Sequence, residues 1–436
     1  MLRRILAGGA LALAFLSGAA QAALPIEHWT TSSGARVYFV RADTIPMLDV
    51  SLGFDAGARY DPADRLGLAS LTNDLLARGA GGINEAAIDE GFAKIGAERG
   101  GGASDDRASL SLRTLSREPE LSQAVSLLAR IVSAPEFPQD VLDREKARSV
   151  QALREAETKP ETIARRTFAK LLYGTHPYGR EASADTVATL ARDDLVRFYR
   201  GFYDAPRAVV AMIGAITRER AEAIAEQLTT GLPSGAERPP MPDVAPLTAS
   251  SSRRIANPAS QSHILVGAPA IARGDPDYFP LLVGNYVLGG GGFVSRLYNE
   301  VREKRGLAYS IYSYFSPQLQ PGPFTIGLQT RKAQTDQALE VVRKTLETFV
   351  EGGPTEAEVE AAKSNLVGGF ALRIDSNRKI LDNLAMIGFY RLPLDYLDHW
   401  TDRVAAVSRD QIGDAFARHV HPAVMATVVV GDGDQP

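Results

Sequence analysis

No cysteine occurs in the 436 residues. Disulfides, thiolate metal sites and cysteine nucleophiles are therefore excluded. No block of lysine and arginine stands out, and the formal net charge is −4, which argues against nucleic acid as a main partner. No G-x-S-x-G occurs, so a serine nucleophile elbow is unsupported. The Gly-rich segment 96–103, GAERGGGA, reads as a loop. It lacks the Lys-Ser/Thr ending and the following helix that a phosphate cradle needs. After the first 22 residues no long apolar run remains.

Those first residues carry a pattern of their own. Arg3 and Arg4 form a basic start, Ile5 to Leu16 an apolar core, and Ala20-Gln21-Ala22 an A-x-A cleavage site. This is the layout of a secretory signal peptide cut after Ala22. The apolar core is short and Gly-broken for a membrane span, and no cysteine follows to take a lipid. The expectation is a soluble, exported protein, most simply periplasmic.

Hydrophobic content of 45% and charged content of 23% are ordinary for a globular chain. The length predicts at least two domains. Arg36–Val40 and Met47–Phe54 read as strands, and 64–78 as a helix with Leu68, Leu71, Leu75 and Leu76 on its apolar face. Ser70 and Asp74 lie one turn apart away from those leucines, with Asn73 beside them; they read as a polar helix face. Helical patterns follow at 119–133, 139–157 and 192–202, and a strand runs from Ala208 to Ile213. Residues 233–252 hold five prolines and read as a linker.

The chain then repeats itself. Pro138 answers to Pro354, Arg192 to Arg409, Pro206 to Pro422 and Gly214 to Gly431, at offsets of 216, 217, 216 and 217 residues. Near-constant offsets through separate elements indicate an internal duplication with units of about 200 residues. The expected fold is α+β: a signal peptide over 1–22, one domain over 23–232, the linker, and a homologous domain over 253–436. The two domains face each other as a clamshell around a cavity.

The most distinctive stretch is Phe293 to Phe315. Val294, Leu297, Tyr298 and Val301 share helical spacing, Gly306 is placed to cap the helix, and Leu307 to Phe315 has a strand's composition. The turn can bring Arg302 and Tyr309 together. A guanidinium and a phenol so held are donors suited to a peptide carbonyl as it gains charge. The alternative is a helix-end arginine facing solvent and a packed sheet tyrosine.

Taken with the duplication and the linker, the segments GLASLTND (Gly67 to Asp74), HPYGR (His176 to Arg180), the run Asp193 to Gly214 and the run Gly289 to Ser313 resemble the insulinase/pitrilysin superfamily. The likeness spans residues 25–431 and is strongest to bacterial relatives of processing peptidases. In catalytic members, H-x-x-E-H on the first long helix and a distal Glu hold zinc and activate water. Here Ser70 and Asp74 stand at the two His positions and Asn73 at the Glu. The distal window Val150–Leu153 has no carboxylate, and Glu155 is off register. The resemblance therefore implies a chain without zinc. Arg302 and Tyr309 do match the family's substrate-binding pair, so it further implies a heterodimer whose zinc-bearing partner completes a metallopeptidase acting on unfolded peptides. A catalytically inactive peptide-binding or assembly protein of the same fold is the alternative.

Three further candidates carry less. His419 and His421 would put two imidazoles on one face of an extended segment, with no third ligand in sequence. His176 reads as a structural loop residue, and Gly289–Gly292 as a flexible entry to the helix that bears Arg302.

Overall fold

The computed structural model describes residues 25–432; the signal-peptide reading over residues 1–22 lies outside them. The first half contributes β1 (Glu27–Thr30), β2 (Arg36–Arg41), β3 (Met47–Phe54), the short hairpin β4 (Gly79–Ala80) and β5 (Ile83–Asn84), then β6 (Glu98–Ala103), β7 (Ala108–Leu115) and β8 (Val209–Gly214). The second contributes β9 (Ser251–Ala256), β10 (Gln261–Ile271), β11 (Ala308–Phe315), β12 (Gly322–Arg331) and β13 (Ala426–Gly431). Two large mixed sheets result, in the orders β1-β2-β8-β3-β7-β6 and β11-β12-β10-β13-β9. The chain between Thr229 and Ser251 has neither helix nor strand. The fold is thus two α+β halves related by duplication.

The expected Gly-rich loop is instead β6, an edge strand paired antiparallel to β7 over its whole length. Glycine suits it sterically. A Cβ on Gly101 would come 2.4 Å from the Ser109 carbonyl oxygen, and one on Gly100 would come 2.9 Å from Ser111 Oγ.

The closing strand of each half is buried at every position and apolar but for Thr427, VVAMIG in β8 and ATVVVG in β13. A run without alternation marks a strand covered on both faces, and its alternate residues enter different cores. Val210 and Met212 join the first half's own core, with Leu71, Leu128 and Leu195. Val209, Ala211 and Ile213 join the second half's core, with Leu384 and Ile387 of the helix Asn377–Tyr390. Conversely Ala426, Val428 and Val430 pack with Ala164, Phe168 and Leu172 of the first half's helix Pro160–Tyr173. Each half therefore lays one helix across the other's sheet. The two helices sit at equivalent places in the duplicated sequence.

Close approach is built in at these contacts. An added Cβ on Gly388 would lie 2.5 Å from Val209 Cγ1 and 2.7 Å from Tyr38 Cε2. The Gly388 carbonyl accepts from Arg36 Nη1 at 2.8 Å. On the other side the Phe168 ring rests on Gly267, 3.1 Å from where a Cβ would stand.

The predicted helix over 64–78 is shorter, Leu68–Leu75, followed by a 3-10 turn. Gly67 at φ 96° breaks it at the start. The buried Asp61 carboxylate then takes the exposed amide groups, accepting from Gly67 N at 2.7 Å and Ala69 N at 2.9 Å. Burial pushes the Asp61 carboxyl up to about 7 despite these bonds.

Gly388→Val should lower stability by about 1–3 kcal/mol through overpacking of the helix–sheet contact. Gly413→Ala, in an exposed helix with open space around it, should be neutral or stabilising by up to about 1 kcal/mol. Thermal melts of both variants check this, and equal midpoints would refute the close-packing argument. A second expectation concerns pH. The folded chain holds the Asp61 proton more tightly than the unfolded chain does. That stabilisation is full below about pH 4 and is lost as pH rises through about 7. Urea unfolding at steps across this range should show a steeper decline for the wild type than for Asp61→Asn, and parallel profiles would contradict it.

Candidate active-site cleft

A cleft of about 1110 Å³ opens between the halves. Its first wall is the helix Leu68–Leu75, presenting Ser70, with Leu153 of the helix Gln139–Ala156 and Phe168 and Tyr173 of the exchanged helix. Its second wall is the second sheet, presenting His263, Tyr309, Tyr312 and Tyr314. The helix exchange is what brings these surfaces together, since helix Pro160–Tyr173 belongs to one half and lies on the sheet of the other.

The three residues at the family's zinc positions do not form one polar face. Ser70 and Asp74 are exposed, and Ser70 lines the cleft. Asn73 is buried, a correction to the expected polar helix face. Its Nδ2 donates to the Ser109 carbonyl and to Tyr203 Oη, each at 3.2 Å. It ties the helix to β7 and to the core. At the distal position Val150 and Leu153 pack against the first core, while Glu155 accepts from Gln151 at 2.9 Å along its own helix. Zinc takes imidazole, thiolate or carboxylate donors, about three at close range. A hydroxyl, a committed amide, a leucine and the single carboxylate of Asp74 do not make up that set.

Opposite, the helix bearing Arg302 begins later than expected, at Arg296, and widens to a π turn over Asn299–Glu303. Leu297, Tyr298 and Val301 are buried as predicted, but Phe293 and Val294 are not; Phe293 is 77% exposed. Gly306, at φ 61°, ends the helix: its N–H donates to the Arg302 carbonyl, and Leu307 N to the Val301 carbonyl. Arg302 and Tyr309 then meet. The guanidinium lies 4.6 Å from the Tyr309 ring centroid and 4.9 Å from that of Tyr298, and Nη1 donates to the Tyr309 carbonyl at 2.8 Å. The β11–β12 register shifts between Ala308 and Ile311. That bulge leaves Tyr309 and Ser310 both outward, with Tyr309 78% exposed. Tyr309 lines the cleft, while Arg302 stands behind it and is not part of the lining.

Tyr312 and Tyr314 continue the aromatic surface along β11, stacked at 5.7 Å and 18°. Gly327 on β12 leaves room for the Tyr312 ring. The alternation of tyrosines in AYSIYSYF was the available signal for this stripe.

A buried cluster fixes the two walls relative to each other. Asp106 pairs with Arg59 at 3.0 Å and accepts from Tyr178 Oη at 2.6 Å, both from the first half. It also accepts from Leu319 N at 2.9 Å and Tyr390 Oη at 3.2 Å, both from the second. Asp105 beside it accepts from Gln318 Nε2 at 2.8 Å. Burial pushes the Tyr390 phenol up to about 12 and raises Tyr178 and Asp105 as well. No sequence motif marked Asp106.

His176 holds the linker. Nδ1 accepts from Tyr178 N at 3.1 Å and Nε2 lies 3.0 Å from the Pro242 carbonyl. Burial lowers its pKa. Gly289 to Gly291 are tightly packed where a flexible entry was expected, while Gly292, at φ 60°, has open space around it. A Cβ on Gly289 would meet Ser313 Oγ at 2.3 Å, and one on Gly290 would meet Asn285 Nδ2 at 2.7 Å. His419 ends the helix Arg409–His419 instead of sharing an extended face with His421. It lies 2.8 Å from Asp277 and 3.9 Å from Asp275. Among the described residues this trio is the one His/Asp/Glu group close enough to share an ion, but Asp277 is already engaged by Arg418 and His419.

Residues 36–186 match the family model described as Insulinase (Peptidase family M16), and residues 189–366 that of the Peptidase M16 inactive domain. An uncharacterized zinc protease of Streptomyces coelicolor is 26% identical over 91% of this chain and 87% of its own. A protein of Helicobacter pylori named a non-peptidase homolog is 26% identical over 86% of this chain and 87% of its own. The crystal structure of a peptidase M16 inactive domain from Pseudomonas fluorescens superposes with a TM-score of 0.90 at 37% identity, covering 94% of this chain and 99% of that one. With these matches running through both halves and across the cleft, the chain belongs to the insulinase family of peptidases, peptidase family M16.

Proposed function

We propose that this chain is the non-zinc-binding subunit of a two-chain zinc metalloendopeptidase, exported to the periplasm by a cleaved signal at residues 1–22. The observation that carries this reading is the asymmetry of the cleft. One wall offers an exposed Tyr309 phenol backed by Arg302. The facing wall, at Ser70, Asn73, Asp74 and Leu153, offers one carboxylate and no set of about three metal ligands. A homologous partner supplies the H-x-x-E-H zinc site. The resemblance of this family's two-chain members and the match to an inactive-domain family support the division of labour.

In this scheme the chain's own residues bind and orient. An unfolded peptide lies extended along a sheet edge, such as β6 or β11, each an edge strand of its sheet. The Tyr309 hydroxyl donates to a peptide carbonyl. Arg302, held flat between two tyrosine rings, adds positive charge where that oxygen becomes negative. Tyr312 and Tyr314 offer faces to neighbouring apolar side chains.

A second reading, an inactive peptide-binding or assembly protein, draws on the burial of Asn73. At that position the polar group serves the core instead of the cleft.

Peptidase activity on an unstructured peptide, with zinc quantified, separates them. The chain alone should be inactive and metal-free, and activity should appear on mixing with a homologue that carries H-x-x-E-H. In the mixture Arg302→Ala and Tyr309→Phe should each reduce turnover about 100-fold. Near-wild-type turnover in both would remove them from the site. Peptide retention without turnover in any mixture would establish the second reading.

A further inference from the structure

A second cavity, of about 470 Å³, lies in the C-terminal half. It forms where the segment leading into the helix Tyr278–Asn285 meets the turn at Leu392–Tyr396 and the helix Trp400–Ala405. Its size falls in the range of small-ligand pockets, and its walls are mostly apolar. The rings of Tyr278, Phe279 and Tyr396 are part of that surface. None of the family motifs lies in it.

Two cations share this cavity. The Arg403 guanidinium lies over Phe279 and Tyr396, 5.7 and 6.0 Å from their centroids. Arg273 lies over Tyr278 and Tyr390, at 5.8 and 5.4 Å. Among the described residues no carboxylate lies within ion-pairing distance of either. Arg273 Nη2 donates to the Pro317 carbonyl at 3.3 Å, but its Nε is buried without a hydrogen-bond partner. One carboxylate, Asp275, also lines the cavity; it accepts from Asp277 N at 2.8 Å and pairs with neither arginine, while Asp277 pairs with Arg418 at 2.7 Å. A guanidinium stacked on a ring keeps its N–H edge free, and that edge matches a carboxylate. With two guanidiniums against the one carboxylate of Asp275, the cavity combines an aromatic lining with a net positive charge.

We infer that this cavity binds an aromatic or branched aliphatic group ending in a carboxylate. The apolar body packs among Tyr278, Phe279 and Tyr396, and the carboxylate takes N–H donors from Arg273 and Arg403. A free aromatic acid and the last residue of a peptide share this chemistry. Arg273 also lines the cleft between the halves, so ligand here touches a residue of the main site while needing no zinc and no second chain.

Calorimetric titration of the full chain alone tests this, using N-acetylphenylalanine and a tetraglycyl-phenylalanine peptide, each as free acid and as C-terminal amide. The acids should bind at least tenfold more tightly than their amides. Arg403→Met, at an exposed position, should abolish that preference without altering the circular dichroism spectrum, and Arg273→Met should do the same. Binding of the small acid alone identifies a small-molecule site, and binding of the peptide acid as well identifies a chain-end site; either supports the assignment. Equal binding of acid and amide, no saturable binding of either acid, or unchanged binding in both arginine variants would overturn it. None of these outcomes depends on whether the chain pairs with a zinc-bearing subunit.

Discussion

Strands β8 and β13 are apolar but for Thr427 and buried on both faces, and each half has only one layer of its own helices to cover a sheet. The remaining face of each sheet is covered by a helix from the other half. Apolar burial is worth about 25 cal/mol per Å², so uncovering those faces would expose Val209, Ile213, Val428 and Val430 at a cost neither half could recover by itself. The duplication makes the solution symmetric: the helices Pro160–Tyr173 and Asn377–Tyr390 play the same part in opposite directions. The cleft follows directly. Helix Pro160–Tyr173 fills the second sheet with Phe168 and Leu172, and the same helix lines the cavity.

The local chemistry of the cleft rests on two backbone irregularities. Gly306 in the left-handed region reverses the chain after Arg302, and the bulge after Ala308 turns Tyr309 outward. A regular strand would alternate Tyr309 with Ser310 across the sheet and leave only one of them on the cleft side. On the facing wall Asn73 shows how the position has been absorbed into the core. Its amide bridges the Ser109 carbonyl and Tyr203 Oη. A carboxylate at that place could not donate to the carbonyl and would bring a charge into a buried setting.

The strands Met47–Phe54 and Arg192–Phe202's helix were legible from period and composition, as were the duplication and the meeting of Arg302 with Tyr309. The failures have physical causes. Residues 98–103 are glycine-rich, so they carry no alternation, yet they pair because β7 needs a neighbour that can approach closely. The exchanged helix Pro160–Tyr173 was missed because it buries a narrow stripe of Ala164, Phe168 and Leu172, one residue per turn, against a surface 260 residues away in sequence near Ala426–Val430. The apolar runs VVAMIG and ATVVVG did hold the signal, since a strand without alternation requires a cover on each face. Asp106 gave no signal at all, because its four partners come from four separate segments.

That last cluster bears on how the cleft works. Asp106 and Arg59 are almost fully buried, so withdrawing other donors from Asp106 would leave a buried carboxylate under-satisfied, at about 1–3 kcal/mol for each group left without a partner. Opening the halves like a hinge would withdraw Leu319 N and Tyr390 Oη from Asp106 and Gln318 from Asp105. It would also pull Gly388 away from Val209 and Tyr38, and Phe168 away from Gly267. These losses are coupled, because one rigid displacement incurs all of them. The energetics therefore favour a cleft whose walls stay at fixed separation. Under that constraint, recognition depends on what the walls present: the tyrosines of β11, the charges around Arg165 and Glu181, and the free strand edges. The direct contacts between the halves hold the facing surfaces of the cleft in position.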